Sequence, residues 1–104
     1  MQVIITRIIS APRPETSALL LRRMVPDARK DVADKHFDAI GLIQADVPSL
    51  FYYTDIGQKA GNVIAAEIVG SCPQHVNTMA FFGSNEAVNA AIGAINAATK
   101  QKDK

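Results

Sequence analysis

The sequence predicts an α+β domain in which helices pack on a mainly antiparallel sheet of four strands. Four short runs rich in β-branched and other apolar residues have the length of strands, and helix-like segments with apolar stripes lie between them. The order is strand, two short helices, strand, helix, strand, strand, helix, which favours an α+β fold with its helices on one face of the sheet. Hydrophobic residues make up 48% of the 104 residues, so the chain has enough apolar surface for one core.

The first half of the chain is predicted to contain two strands separated by two short helices. The first strand has β-branched side chains on both of its alternating sides. The prolines at 12 and 14 end it, because proline has no backbone N–H to donate to a neighbouring strand. Thr16 or Ser17 is expected to cap the first helix, and Pro26 to open the second, mostly charged helix. The predicted elements are a strand at 2–9, helices at 16–24 and 26–35, and a strand at 39–45.

The second half is predicted to contain two strands flanked by longer helices. Pro48 and Ser49 begin the first of these helices, and Gly83 and Ser84 precede the last one. The predicted elements are a helix at 48–61, strands at 62–69 and 76–82, a final helix to about 99, and a disordered polar tail at 100–104. The apolar stripes of the helices are Leu50, Tyr53, Gly57 and Ala60, and Val88, Ile92 and Ile95.

Charge and cysteine content exclude several classes of function. The net charge of +1 gives no electrostatic basis for binding nucleic acid or an anionic membrane. The single cysteine excludes an intrachain disulfide and a metal site built only from thiolates of one chain. With no basic leader and no apolar run near the roughly 20 residues that span a bilayer, we expect a cytoplasmic protein. The two histidines, His36 and His75, match no catalytic pattern, so we expect no enzymatic activity.

A six-residue loop between the last two strands carries the side chains most suited to binding a ligand. It consists of Gly70, Ser71, Cys72, Pro73, Gln74 and His75. Cysteine and histidine both ligate transition metals, but one chain supplies only two such ligands, whereas zinc usually takes four. A cysteine with no special role is the competing interpretation. A symmetric ring of chains would supply the missing metal ligands by bringing several copies of Cys72 to one axis.

Three stretches follow one another at a spacing typical of one family of proteins. They are the Ala-Ile-Gly-Leu-Ile run at 39–43, the segment from Asp55 through Lys59 to Val63, and the Phe-Gly-Ser-Asn-Glu-Ala-Val segment at 82–88. These stretches resemble the bacterial microcompartment shell proteins, whose BMC domain forms hexamers that tile the shells of enzyme-filled organelles. Residues 8–14, with their Pro-Arg-Pro turn, resemble a strand and turn that ordinary members carry at their C-terminal end. This order resembles the circularly permuted subclass. The chain starts almost at that strand, so the small barrel that caps the pore in other permuted members is expected to be missing.

The resemblance implies a single permuted shell domain at 1–99, with the permuted part at 1–38 and the main part at 39–99. It implies a homohexamer that assembles with other shell proteins, without nucleic acid or membrane. Lys59 aligns with a lysine at the hexamer edge, and Arg13 is expected at the same edge. The loop at 70–75 aligns with the family's pore loop, with a cysteine in place of a glycine.

The Gly-Ser-Cys-Pro-Gln-His loop also resembles a branch of shell proteins from glycyl-radical propanediol microcompartments, which bind an iron–sulfur cluster in the hexamer pore. The resemblance implies a cluster, expected to be 4Fe–4S, held by Cys72 from several chains. The cluster could pass electrons across the shell or be stored for enzymes inside, and the sequence does not choose between these roles. Six equivalent cysteines cannot all ligate one tetrahedral cluster, so the symmetry would break. For His75 three roles are open, as a further ligand, as a hydrogen-bond donor to cluster sulfur or as a loop residue without a special role, and we favour the last two; Gln74 is expected on the pore rim. The alternatives are a metal-free pore for metabolites, or an oligomeric α+β ligand-binding domain unrelated to shells.

Overall fold

Eight elements follow one another in residues 4–33, 35–69 and 76–102, the part of the chain that the computed structural model describes. They are β1 (Ile5–Ser10), α1 (Pro14–Leu21), α2 (Pro26–Ala33), β2 (Ala39–Asp46), α3 (Val47–Ala60), β3 (Ile64–Ile68), β4 (Val76–Gly83) and α4 (Asn85–Lys102). The strands form one antiparallel sheet in the order β1-β2-β4-β3. The predicted α+β class and order of elements are therefore confirmed.

Helices α3 and α4 cover one face of the sheet, which we call the α3/α4 face. Asp46 caps α3, because its Oδ1 accepts a hydrogen bond of 2.9 Å from the Ser49 amide. The Ser84 hydroxyl caps α4 by accepting from the Ala87 amide at 3.1 Å, as predicted. The predicted stripes pack here, with Leu50, Tyr53, Gly57, Val88, Ile92 and Ile95 all buried. The prediction for Ala60 is wrong: it is exposed, because α3 ends there and the chain turns toward β3.

The other face, the α1/α2 face, is also covered, so the expectation of helices on one face is wrong. Met24 and Val32 are buried against the sheet residues Ile40, Ala80 and Phe82. The charged composition of α2 hides this contact in the sequence, because Val32 is its one buried residue. Two layers of helices therefore enclose the sheet, and the domain has one apolar cluster on each face.

The first helix starts and ends earlier than predicted, since α1 spans Pro14–Leu21 and a helix at 16–24 is predicted. Helix α1 begins at Pro14 and not at a cap on Thr16 or Ser17. Arg13 is the N-cap residue, with an extended backbone and no side-chain capping bond. Proline suits the first helical position because its missing N–H has no partner there, so the turn that ends β1 also starts the helix.

The C-terminal helix is longer than predicted. Helix α4 continues through Lys102, whereas a disordered tail is predicted from residue 100. Lysine and glutamine have high helix propensities, so the polar composition of this segment does not stop the helix. Residues 103–104 lie outside the described residues. No helix within the described ranges is both long and apolar enough to cross a membrane.

Candidate functional site

The register of the sheet brings the last residue of β3 and the first residue of β4 to one end of the strands, which we call the loop end. β3 ends at Ile68 and β4 begins at Val76, and these two strands are antiparallel neighbours. Asp46 of β2 pairs with Val76 at the same end. The loop residues Gly70, Ser71, Cys72, Pro73, Gln74 and His75 lie outside the described residues, so their predicted role stays a prediction.

The two predicted edge residues, Lys59 and Arg13, lie at the opposite end of the sheet, the far end. Helix α3 follows Asp46 at the loop end and its 14 residues span about 21 Å, so Lys59 in its last turn is near the far end. Arg13 comes shortly after β1, whose last residue Ser10 pairs with Ala39 at that end. The fold therefore separates the loop end of the strands from both predicted edge residues by the length of the sheet.

Lys59 forms an ion pair with Asp55 one turn earlier on α3. Its Nζ lies 2.7 Å from Oδ2 of Asp55, and both side chains are largely exposed. The hydrogen bond from the ammonium to Asp55, followed by the attraction of the two charges, raises the pKa of Lys59. An acidic residue four positions before a lysine is the favourable orientation for such a pair on a helix. Sequence reasoning did not assign Asp55 this role, although the i, i+4 spacing signals it.

Replacing Asp55 with asparagine is expected to return the pKa of Lys59 toward its ordinary value. In the wild-type protein, the raised pKa means that the pair's stabilisation is fully present below the unfolded-state pKa, about 10.4 for lysine. The stabilisation is lost as the pH rises through the pKa of the folded state. Titration of the Lys59 ammonium by NMR measures the shift directly. Asp31→Asn, on the exposed surface of α2, is the matched control, and an equal Lys59 pKa in all three proteins would contradict the pairing.

Arg13 is more exposed than Lys59 and has only a local ion pair. Its Nε lies 3.4 Å from Oε1 of Glu15, with about 80% of both side chains exposed (81% and 79%). Exposed pairs of this kind contribute about 0–1 kcal/mol. The guanidinium is therefore held weakly and stays accessible to a neighbouring molecule.

A cleft of about 290 Å³ opens between α1, α2 and the sheet. Ile40 and Phe82 line its apolar part, and Lys35 and His36 contribute its polar part. His36 Nε2 lies 3.5 Å from Oδ1 of Asp38, and both side chains are exposed. Because charges of both signs lie near its rim, the cleft does not favour an anionic or a cationic ligand.

Metal-binding side chains do not cluster in the part of the chain that the structure covers. Within residues 4–33, 35–69 and 76–102, no group of three His, Cys, Asp or Glu side chains is arranged to hold a metal ion. The predicted ligand, Cys72, lies outside these ranges. A metal site at the loop end would therefore depend on that loop and on other copies of the chain.

Two solved structures resemble this fold over most of its length. The GrpU microcompartment shell protein from Pectobacterium wasabiae, in a ligand-free structure, is 40% identical, with a TM-score of 0.72 over 88% of this chain and 99% of that one. The fused permuted hexameric shell protein MSM0275 from the RMM microcompartment is 18% identical, with a TM-score of 0.67 over 91% of this chain and 44% of that one. The chain matches no protein-family model and no curated protein sequence.

The first likeness is close enough in sequence and coverage to show the family, and the second shows the fold. The likeness to a permuted shell protein agrees with the predicted circular permutation, in which the β1 strand comes first. The alternative of an α+β domain unrelated to shells is therefore wrong. This chain belongs to the bacterial microcompartment shell proteins.

Proposed function

We propose that the chain is a structural, non-enzymatic subunit that forms homohexamers and tiles a microcompartment shell in the cytoplasm together with other shell proteins. The observation that carries this proposal is that the strand ends flanking residues 70–75 in sequence lie at the opposite end of the sheet from Lys59. A ring that tiles needs one end of each chain at its axis and the other end at its rim. The hexameric state of the permuted relative supports the same assembly.

We further propose that Cys72 copies at the ring axis hold an iron–sulfur cluster. Thiolates are the preferred ligands of such clusters, and a hexamer raises the supply from one thiol per chain to six per ring. Three or four copies would ligate a 4Fe–4S cluster while the others stay free, so the loaded ring would lose its sixfold symmetry. When bound, the cluster would supply one-electron transfer across the shell. Pro73 follows the thiol and stiffens the loop, and His75 is close enough in sequence to donate a hydrogen bond to cluster sulfur.

Replacing Cys72 with serine is expected to abolish iron and sulfide binding while the hexamer persists. Serine keeps the size of the side chain but lacks the thiolate that the cluster needs. The measurements are anaerobic purification with iron and sulfide assay, absorption and electron paramagnetic resonance spectra, and molar mass by light scattering. His75→Ala is the matched control in the same loop and should keep the iron.

The wild-type and mutant results separate the proposals. Stoichiometric iron retained in the Cys72→Ser hexamer would contradict ligation by this thiol. A wild-type hexamer without iron after anaerobic purification would overturn the cluster and leave a metal-free pore for metabolites. A wild-type protein that is not hexameric would contradict the proposed ring itself.

Replacing Lys59 with alanine is expected to leave hexamers intact but to prevent their assembly into sheets. We place this lysine at the rim, where it faces neighbouring hexamers, so its loss removes contacts between rings and none within a chain other than the Asp55 pair. Electron microscopy of the concentrated protein shows sheets directly, and light scattering reports the hexamer. Lys30→Ala, on the exposed surface of α2, is the control and should still form sheets. Extensive sheets from the Lys59 variant would place the edge elsewhere.

A further inference from the structure

We propose that the ring closes head to tail, with one side of β1 in each chain packed against the opposite side of β3 in the next copy. This inference rests on the proposed homohexamer and names the surfaces that build it. A cyclic ring needs two different surfaces on every chain, which meet in each interface. β1 and β3 are the two outer strands of the sheet, so each chain can offer one of them to each neighbour. Outer strands are normally covered or paired.

The first surface lies on the α1/α2 face of β1 and consists of Ile5 and Arg7. Both side chains are exposed, Ile5 at 42%. Thr6 between them points to the other face, where its hydroxyl donates a 3.1 Å hydrogen bond to Oδ1 of Asn96 on α4. Among the described residues, the apolar cluster beneath α1 and α2 contains residues of β2, β3 and β4 but none of β1. This side of β1 is therefore left without a covering helix.

The second surface lies on the α3/α4 face beside β3, and consists of Arg23, Val25, Glu67 and Val69, all of them exposed. Met24 forms an antiparallel bridge with Ile68, and the Val69 amide donates to the Arg23 carbonyl at 2.6 Å. The segment at 23–25 thus runs along the outer side of β3. Met24 and Ile68 are buried on the α1/α2 face, so their neighbours point the other way. Val25 and Val69 are 48% and 49% exposed, so this side of β3 is uncovered near the loop end, whereas Ala65 farther along the strand packs against the cluster beneath α3 and α4.

The two surfaces lie at the same level along the sheet. The strand register runs across the sheet from Thr6 through Ile43 and Met79 to Glu67. Arg7 is therefore one residue, about 3.4 Å, from the level of Glu67. In the same way, Ile5 shares a row with Ile68, next to Val69. In the proposed ring, a rotation about an axis at the loop end carries each chain onto the next. This rotation leaves every residue at the same distance from the axis. Residues at equal levels of the two sheets therefore meet.

Arg7 of the first surface and Glu67 of the second carry opposite charges, while Arg23 lies at the level of Val69, away from Glu67. Arg7 is the one charged residue of β1, and Glu67 is the one charged residue of β3. Arg7 donates from Nη1 to the Thr6 carbonyl at 2.7 Å, and Glu67 accepts at Oε2 from Asn77 at 3.3 Å. A guanidinium has five N–H donors and a carboxylate has two oxygens, so each group can also bind across the interface. Pairing Arg7 with Glu67 places this ion pair beside Val25 and places Ile5 beside Val69, so an ion pair flanks an apolar contact.

Charge reversal at the two positions tests this pairing. Arg7→Glu and Glu67→Arg each place like charges in all interfaces, and each is expected to raise the chain concentration for half-assembly about tenfold or more. The double variant Arg7→Glu with Glu67→Arg restores opposite charges and should assemble like the wild type. An equimolar mixture of the two single variants should form hexamers with alternating chains. Light scattering over a dilution series measures each case, and circular dichroism checks the fold.

The controls separate this inference from the proposed function. Asp31→Lys, an exposed charge reversal on α2, should leave assembly unchanged. Single reversals that assemble like a hexameric wild type, or a mixture that fails to restore the ring, would overturn the pairing and leave the homohexamer standing. A wild type that never forms hexamers would overturn the homohexamer and this inference together.

Discussion

Replacing Phe81 with alanine is expected to lower the free energy of unfolding by about 3–5 kcal/mol. Phe81 lies on the central strand β4, is fully buried, and belongs to the apolar cluster beneath α3 and α4. Its ring lies against Gly57 of α3, where an added Cβ would be 3.3 Å from Phe81 Cε1. Gly57 has no side chain, so there is room for the Phe81 ring beside it. Removal of this ring leaves a cavity that neither helix can fill. A typical domain is stable by about 5–15 kcal/mol, so this loss would remove a large fraction of the total stability.

Phe51→Ala is the matched control for this prediction. Phe51 is the same residue type on α3 but is 55% exposed, so its truncation should cost well under half as much. Denaturant unfolding of both variants and the wild type at one chain concentration gives the comparison, since assembly adds stability that depends on concentration. Equal destabilisation by the two substitutions would contradict the assignment of Phe81 to the core, or would mean that Phe51 is buried in the ring.

The sequence was sufficient to predict the helices whose apolar residues repeat at helical spacing. Val88, Ile92 and Ile95 are buried as predicted because α4 is amphipathic and packs on the sheet along its length. The packing of α2 on the sheet was not evident from the sequence, because α2 has a single buried residue, Val32, and therefore no repeat of apolar residues. The start of α1 was misjudged because a proline that ends a strand can also open a helix, as Pro14 does.

The candidate site was predictable from the sequence to a smaller extent. The shell-protein resemblance identified the family, which the likeness in sequence and fold shows independently. The partner of Lys59, Asp55, required the geometry of the helix. The surfaces at Arg7 and Glu67 were not predictable, because their common level depends on the register of four strands that are distant in sequence. The role of Cys72 depends on other copies of the chain and stays a prediction.

Replacing Gly61 with alanine is expected to destabilise the fold by about 1–3 kcal/mol and to impair sheet assembly. Gly61 has an extended backbone that any residue adopts, with φ of −137° and ψ of 150°, so the cost is steric. An added Cβ would collide with the carbonyl oxygen of Ala87 and lie 3.3 Å from the amide nitrogen of Ala91, both in the backbone of α4. Since these backbone atoms cannot rotate away, the corner after α3 must move, and it carries Lys59 with it.

Gly93→Ala provides a control of opposite sign for the change at Gly61. Gly93 lies inside α4, and among the described residues an added Cβ there would meet no atom within 4 Å apart from its own turns of helix. Alanine has the higher helix propensity, so this change should stabilise the protein by about 0.5–1 kcal/mol. Unfolding curves test the two signs, and electron microscopy tests whether the Gly61 variant loses sheets while its hexamers persist. A Gly61 variant as stable as the wild type would show that the corner after α3 can move without cost. Normal sheets from this variant would show that contacts between hexamers do not depend on the position of the corner.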